Sequence, residues 1–261
     1  MFRLISTLAL SLSCMPLLHA DYITEVLSDN PIAYYRFEET SGAVAADTST
    51  AGANHDAAHV NTTLGVPSYG QLGKAADFAG SAAVRITDHV DFDLGTGDFA
   101  VELWYQTSIT TRGDLLTYKG TGGDFGIHSN SQGADIVSAY HGGFLNTAAG
   151  SAANTWHHYV ISRDAGTSSF YLDGNLLGSA AHANTLDITN DLLIGSNHGG
   201  DPATLAIGFT GQIDEVAFYA SPLDATRVSA HFAAAIPEPS TMGLLGLGLL
   251  LLARRSRRAR R

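Results

Sequence analysis

Gly97-Asp98-Phe99-Ala100-Val101-Glu102-Leu103-Trp104-Tyr105-Gln106-Thr107 is the stretch that decides the fold. Phe99, Val101, Leu103 and Tyr105 fall on one face; Ala100, Glu102, Trp104 and Gln106 fall on the other. A period of two marks a strand, because successive side chains leave a strand in opposite directions.

Working outward, short apolar runs alternate with Gly, Asn and Asp. Before the central strand they predict strands at 32–38, 75–78 and 82–87, and after it at 115–119, 124–128 and 136–140. Residues 156–163 and 169–172 read as a hairpin across Asp164-Ala165-Gly166, and Asp173-Gly174 begins another tight turn. Strands at 192–195 and 209–219 close the set. A short helix is expected at 22–27, ended by Asp29-Asn30-Pro31. A last helix at 223–234 is expected after Ser221 as N-cap and Pro222 at its first position. Evenly spaced short strands of this kind predict an all-β sandwich or barrel.

The two ends have a different character. Met1-Phe2-Arg3, an apolar run from Leu4 to Leu18 and then His19-Ala20 make up a secretory signal peptide over residues 1–20, with signal peptidase cutting after Ala20. Cys14 is the only cysteine and falls inside that leader, so the mature chain would have no thiol chemistry. The other end runs Pro237-Glu238-Pro239, an apolar Leu/Gly stretch at 242–253, then six arginines. At about 1.5 Å per residue this stretch covers ~18 Å, short of a ~30 Å hydrocarbon core. The expectation is a transmembrane-type tail helix that inserts only transiently, with its arginines held inside.

Removing both ends leaves 21–236, long enough for one sandwich domain. Arg3 and the tail arginines take half of the 14 basic residues, whereas Glu238 is the single acid lost from 25. The remaining seven basic and 24 acidic residues give a formal charge of −17, against −11 for the whole chain. A surface of this kind repels nucleic acid, which argues against a nucleic-acid partner, and is open to cations.

The tail's three elements in fixed order resemble the PEP-CTERM sorting signal. That resemblance implies processing near Pro237-Glu238-Pro239 by an exosortase-type membrane enzyme. It also implies delivery to the cell envelope or extracellular matrix, often in exopolysaccharide producers. Within 21–236, several phrases fall in order: Asp29-Asn30-Pro31-Ile32-Ala33-Tyr34-Tyr35-Arg36-Phe37-Glu38, Ala76-Asp77-Phe78-Ala79-Gly80 and Phe92-Asp93-Leu94-Gly95. Next come Gly97 to Trp104, Trp156-His157-His158-Tyr159-Val160, Tyr171-Leu172-Asp173-Gly174 and Phe209 to Tyr219. Together they resemble the laminin-G-like, concanavalin A-like lectin/glucanase superfamily. That implies a jelly roll of two antiparallel sheets. Members bind carbohydrate, bind protein, act as spacers or are enzymes, and activity follows the site rather than the fold.

The catalytic signatures are missing. Retaining glycan hydrolysis needs two carboxylates about 5–5.5 Å apart. Asp214 and Glu215 are adjacent and would face opposite ways on a strand, Asp91 and Asp93 lie in a loop-like stretch, and Glu102 stands alone. There is no Gly-x-Ser-x-Gly elbow. His158, in the Trp-His-His phrase, is expected to pack and hydrogen-bond. The reading is therefore a non-catalytic glycan-binding or structural domain, with a polysaccharide hydrolase or lyase and a protein-adhesion module as alternatives.

Calcium is the cofactor considered. Asp47, Asp214 and carbonyls near Gly80 would form its site if the first and last strands are neighbours. Otherwise Asp47 caps a turn and Asp214 pairs with backbone donors. Asp88, Asp91 and Asp93 read as a solvated loop. His55, Asp56 and His59 lie in an Ala/Asn-rich loop without a supporting ligand pattern. For an extracellular polysaccharide or envelope protein as partner, the candidate stacking residues are Tyr105, Tyr118, Tyr140 and Phe144. Asn146, Asp124, His128 and Gln132 are the candidate polar ones, and none is singled out as the ligand-binding residue.

Overall fold

The computed structural model describes residues 21–50, 54–120, 123–187, 189–198 and 205–236. Helix α1 (Tyr22–Ser28) begins where Asp21 accepts the Thr24 N–H. Then come β1 (Ala33–Tyr35), β2 (Val44–Ala45), β3 (Ala57–Val60), β4 (Thr63–Pro67), β5 (Lys74–Ala79) and β6 (Ala83–Ile86). A 3-10 turn (Val90–Phe92) leads to β7 (Phe99–Gln106), β8 (Gly113–Tyr118), β9 (Phe125–Ser129), β10 (Ile136–His141) and β11 (Phe144–Ala149). The chain continues through β12 (His157–Asp164), β13 (Thr167–Leu172), β14 (Asn175–Ala181), β15 (Leu192–Ile194) and β16 (Thr210–Tyr219) to helix α2 (Ala225–Ala235).

The strands form two antiparallel sheets. One runs β14-β13-β12-β7-β16-β5-β4, with β1 also on β16; the other runs β11-β10-β9-β8-β15-β6-β3-β2. This is the expected all-β, jelly-roll-like sandwich. Between the sheets Phe99, Val101, Leu103 and Tyr105 of β7 meet Leu116, Tyr118, Phe125 and Ile127 from the facing sheet. The expected face of β7 is therefore the core face. Its other face is buried as well. Ala100 and Trp104 join Tyr34, Val160 and Tyr219 in a second apolar layer, closed by Tyr22 and Val26 of α1 and Val228 of α2. The two terminal helices form a lid over the first sheet.

Both hairpin turns are as expected. Ala165 and Gly166 have φ of 46° and 77°, and Asp173 and Gly174 have 50° and 75°. Two consecutive positive φ values make the tight turn that matches strand twist. Three local expectations are corrected. β1 stops at Tyr35 rather than running to 38; Phe37 takes a φ of 49°, outside the extended range of regular strand. Helix α2 starts later, with Asp224 as N-cap in place of Ser221; the Leu223 N–H is held by Ser162 Oγ at 2.9 Å, which keeps the approach extended.

The third correction concerns Asp214 and Glu215. They do not face opposite ways. Asp214 pairs with Trp104 and Ala217 with Glu102, so β16 spends one extra residue there, and Glu215 takes a φ of 51°. This is a β-bulge. Ile213 and Val216 point into the inter-sheet core, and both carboxyls point to the lid side.

The leader at 1–20 and the tail, with Pro237-Glu238-Pro239 and the helix expected at 242–253, lie outside the described residues. Among the described residues no helix is long and apolar enough to cross a membrane.

Candidate functional site

The outer face of the second sheet carries a groove. Inward residues Leu116, Phe125, Ile127, Val137 and Ala139 are core, so strand parity sends their neighbours outward. Thr117 pairs with Gly126, Gly126 with Tyr140, and Tyr140 with Phe144, which makes one row across four strands. Asp114, His128 and Ser138 make the next row. The first row and His128 of the second border a cavity of about 280 Å³, which Arg112, Lys119, Asp124 and Asn197 also line.

Glycine at 126 makes the hollow possible. A Cβ there would fall 2.8 Å from His128 Nε2, so the imidazole lies directly over this position. The other ring nitrogen, Nδ1, donates to Asp114 Oδ1 at 2.7 Å. Asp114 also accepts from Arg112 Nε at 2.7 Å, Arg112 Nη2 at 3.0 Å and Asn197 Nδ2 at 2.9 Å. Burial pushes the Asp114 carboxyl up, but the hydrogen bonds from His128 and Arg112 outweigh it and hold the group below the usual carboxylate range. One buried anion thus orients three polar side chains at one side of the groove. At the other side Tyr140 and Phe144 meet edge to face, 5.4 Å apart, and Phe144 is 46 % exposed. Lys119 Nζ sits 3.5 Å from Asp124 at the rim. The arrangement offers an aromatic face beside fixed donors and acceptors.

Of the aromatic candidates, Tyr140 and Phe144 belong to this groove and Tyr118 lines it from the core. Tyr105 is a core residue. Asp124 and His128 are in place; Asn146 and Gln132 are not among the lining residues. Arg112, Asp114, Gly126 and Asn197 were not anticipated. For Gly126 and His128 the parity of β9 was a usable signal, since both alternate with the apolar Phe125 and Ile127. Asn197 had no such signal, because it reaches Asp114 from 83 residues away.

The calcium triad is not assembled. Tyr35 pairs with Asp47 on one side and Val216 on the other, so β1 stands between Asp47 and β16. Gly80 bonds Phe209, five residues along from Asp214, a distance of about 15 Å or more at strand rise. Asp47 accepts N–H groups from Tyr34, Ser49 and His55 at 2.9, 2.9 and 3.0 Å. It organises a turn. Asp214 accepts from Ser68 and from the Glu215 N–H, and burial pushes its carboxyl well up. Glu215 is raised as well, first by burial; Tyr34 donates to it and Arg36 lies 3.6 Å away. Both carboxyls are fully buried.

The histidine pair is structural. His158 donates to Glu102 at 2.9 Å and stacks on Trp104, centroids 5.0 Å apart, as expected of it. His157 bonds Asp173 at 2.8 Å, joining the start of β12 to the end of its neighbour β13.

Comparison with solved structures gives the same fold. Trypanosoma rangeli sialidase in complex with sialic acid matches at TM-score 0.60 and 15 % identity, over 79 % of this chain and 33 % of that one. The chain therefore spans about a third of the sialidase. The botulinum neurotoxin serotype D binding domain matches at 0.57 and 11 % identity, over 79 % and 52 %. Domain 4 of AbnA, a GH43 extracellular arabinanase from Geobacillus stearothermophilus in complex with arabinotriose, matches at 0.54 and 18 % identity, over 77 % and 98 %. No curated protein matches the chain. Residues 235–258 match the PEP-CTERM protein-sorting motif, which implies export and processing by an exosortase-type system. Residues 78–229, more than half of the sequence, match the laminin G family model of the concanavalin A-like lectin/glucanases superfamily, and the chain belongs to that superfamily.

Proposed function

We propose that the chain is an exported, non-catalytic carbohydrate-binding domain of the cell envelope or extracellular matrix, and that the groove over β8–β11 is its glycan site. The observation that carries this reading is the pairing of exposed Phe144 and Tyr140 with polar groups fixed by Asp114. A sugar ring offers an apolar C–H face and a rim of hydroxyls, and such a wall receives both. Both Asp114 oxygens are already committed to Arg112, His128 and Asn197, which favours binding over bond cleavage. The fully buried Asp214–Glu215 pair has no exposed surface to offer a substrate. The likeness to a domain solved with arabinotriose supports an oligosaccharide as ligand. The sorting tail supports a polysaccharide of the producing cell's own surface.

A glycan array that includes the host exopolysaccharide, run with and without calcium, tests the proposal. We expect binding that Phe144→Ala and His128→Ala each weaken at least about tenfold, or roughly 1.4 kcal/mol. Binding that neither variant alters would place the ligand elsewhere. New reducing ends on incubation would replace a binding domain with a hydrolase.

A further inference from the structure

We propose a second site, for a first-row transition ion of the zinc type, at the end of the sandwich where His55 meets His89 and Asp91. The three residues come from two segments: residues 54–56, just before β3, and the 3-10 turn after β6. His55 Nε2 lies 3.0 Å from Asp91 Oδ2, His89 Nδ1 lies 3.4 Å from the same oxygen, and the three donor atoms fall within 4.8 Å of one another. Ligands at ~2.0–2.1 Å around a tetrahedral ion stand about 3.4 Å apart, so one ion can replace the proton that His55 and Asp91 share. Among the described residues this is the single group of three or more such donors.

The donors are held in place. The His55 N–H donates to Asp47 Oδ2 at 3.0 Å, and its carbonyl accepts from Tyr35 Oη at 2.6 Å. Its ring rests on Phe92, centroids 4.9 Å apart, and its side chain is 3 % exposed. Asp91 shares the short turn with the core residue Phe92. His89 and Asp91 are 42 % and 37 % exposed, which leaves a side open for the ion and for water as a fourth ligand. His89 Nδ1 now accepts the Asp91 N–H at 3.2 Å, and a metal bond would take the place of that cap. Two imidazoles and one carboxylate suit zinc or copper, whereas calcium wants six to eight oxygens. The neighbouring histidine and acid of the same loop are used otherwise: His59 bonds Thr62 at 2.9 Å, and Asp56 accepts the Asp47 N–H at 2.8 Å. An ion here would tie the β2–β3 loop to the β6–β7 connection.

The test uses the full-length chain, purified in mild detergent, stripped with EDTA and titrated with zinc chloride by calorimetry and metal analysis. We expect one zinc per chain and a raised melting midpoint. His89→Ala and Asp91→Asn should each weaken binding more than about tenfold, and His59→Ala should leave it unchanged. The variants remove exposed side chains, so their circular dichroism should match the parent. Absence of stoichiometric zinc overturns the proposal. Zinc held equally by the His89→Ala and Asp91→Asn variants also overturns it, since the ion would then sit on other histidines.

Discussion

Glu102 is fully buried, and its carboxylate is satisfied by His158 at 2.9 Å, His231 at 3.1 Å and the Tyr219 hydroxyl. Burial alone would raise this carboxyl, but the charge on His231 and the hydrogen bonds from both histidines hold it far below the usual range. His231 moves the other way. Burial opposes its charge, yet Glu102 and Asp29 raise it to about 10. A group raised in the folded state contributes its full stability below its unfolded value of 6.5, and loses it as pH climbs through about 10. Melting temperature should therefore fall between pH 6.5 and 10, and His231→Gln should flatten that slope while costing roughly 3–5 kcal/mol near neutrality. Asp214 and Glu215, both raised, push in the same direction, so the difference between parent and variant isolates His231. A parallel slope in the variant would refute the assignment. Gly126 gives a second residue-scale test. A Cβ there meets His128 Nε2 at 2.8 Å and the Leu116 carbonyl at 3.3 Å. Gly126→Ala should displace the imidazole and abolish glycan binding, with a stability loss of about 1–3 kcal/mol. Retained affinity would mean that the groove is not the site.

At the scale of elements, the lid decides why the first sheet is buried on both faces. Trp104 lies in a stack with His158, Tyr69 at 4.9 Å and Phe232 of α2 at 5.7 Å, and Tyr22 of α1 caps its edge at 6.2 Å. Deleting residues 21–29 removes Tyr22, Val26 and Asp29, the partner of both Arg227 and His231. At about 1.5–3 kcal/mol per buried side chain, the loss is roughly 3–6 kcal/mol, or about 6–24 °C. The Trp104 emission should shift to the red; an unshifted spectrum with an unchanged melting point would show that the lid is dispensable. The strands that carry the core were legible because β7 alternates cleanly and because the β12–β13 and β13–β14 turns have their own chemistry. β14 was not legible: it is an edge strand with Leu176 58 % exposed, so no apolar face marks it. β2 and β3 are short and Ala-rich and borrow their stability from neighbours. The bulge in β16 was hidden as well, since Asp214-Glu215 reads as ordinary alternation until the pairing with β7 reveals the extra residue. The groove was half legible for the same reason. Its aromatic wall lies on predicted strands, whereas the Asp114 network depends on contacts 14 and 83 residues apart.

For the whole molecule, charge is divided between the ends and the middle. Residues 21–236 carry a formal −17, and the six terminal arginines bring the chain toward its −11. Like charges spread over one compact sandwich repel one another, and the repulsion weakens as salt shortens the screening length from ~30 Å at 0.01 M to ~8 Å at 0.15 M. The Glu102–His231 ion pair under the lid has no exposed surface and is screened far less. Salt should then relieve the surface repulsion without undoing the interior. We predict that the melting temperature of 21–236 rises between 10 and 150 mM sodium chloride, and that full-length chain in the same detergent rises by less. A fall with salt would show that surface attraction, rather than net repulsion, governs the stability of this domain.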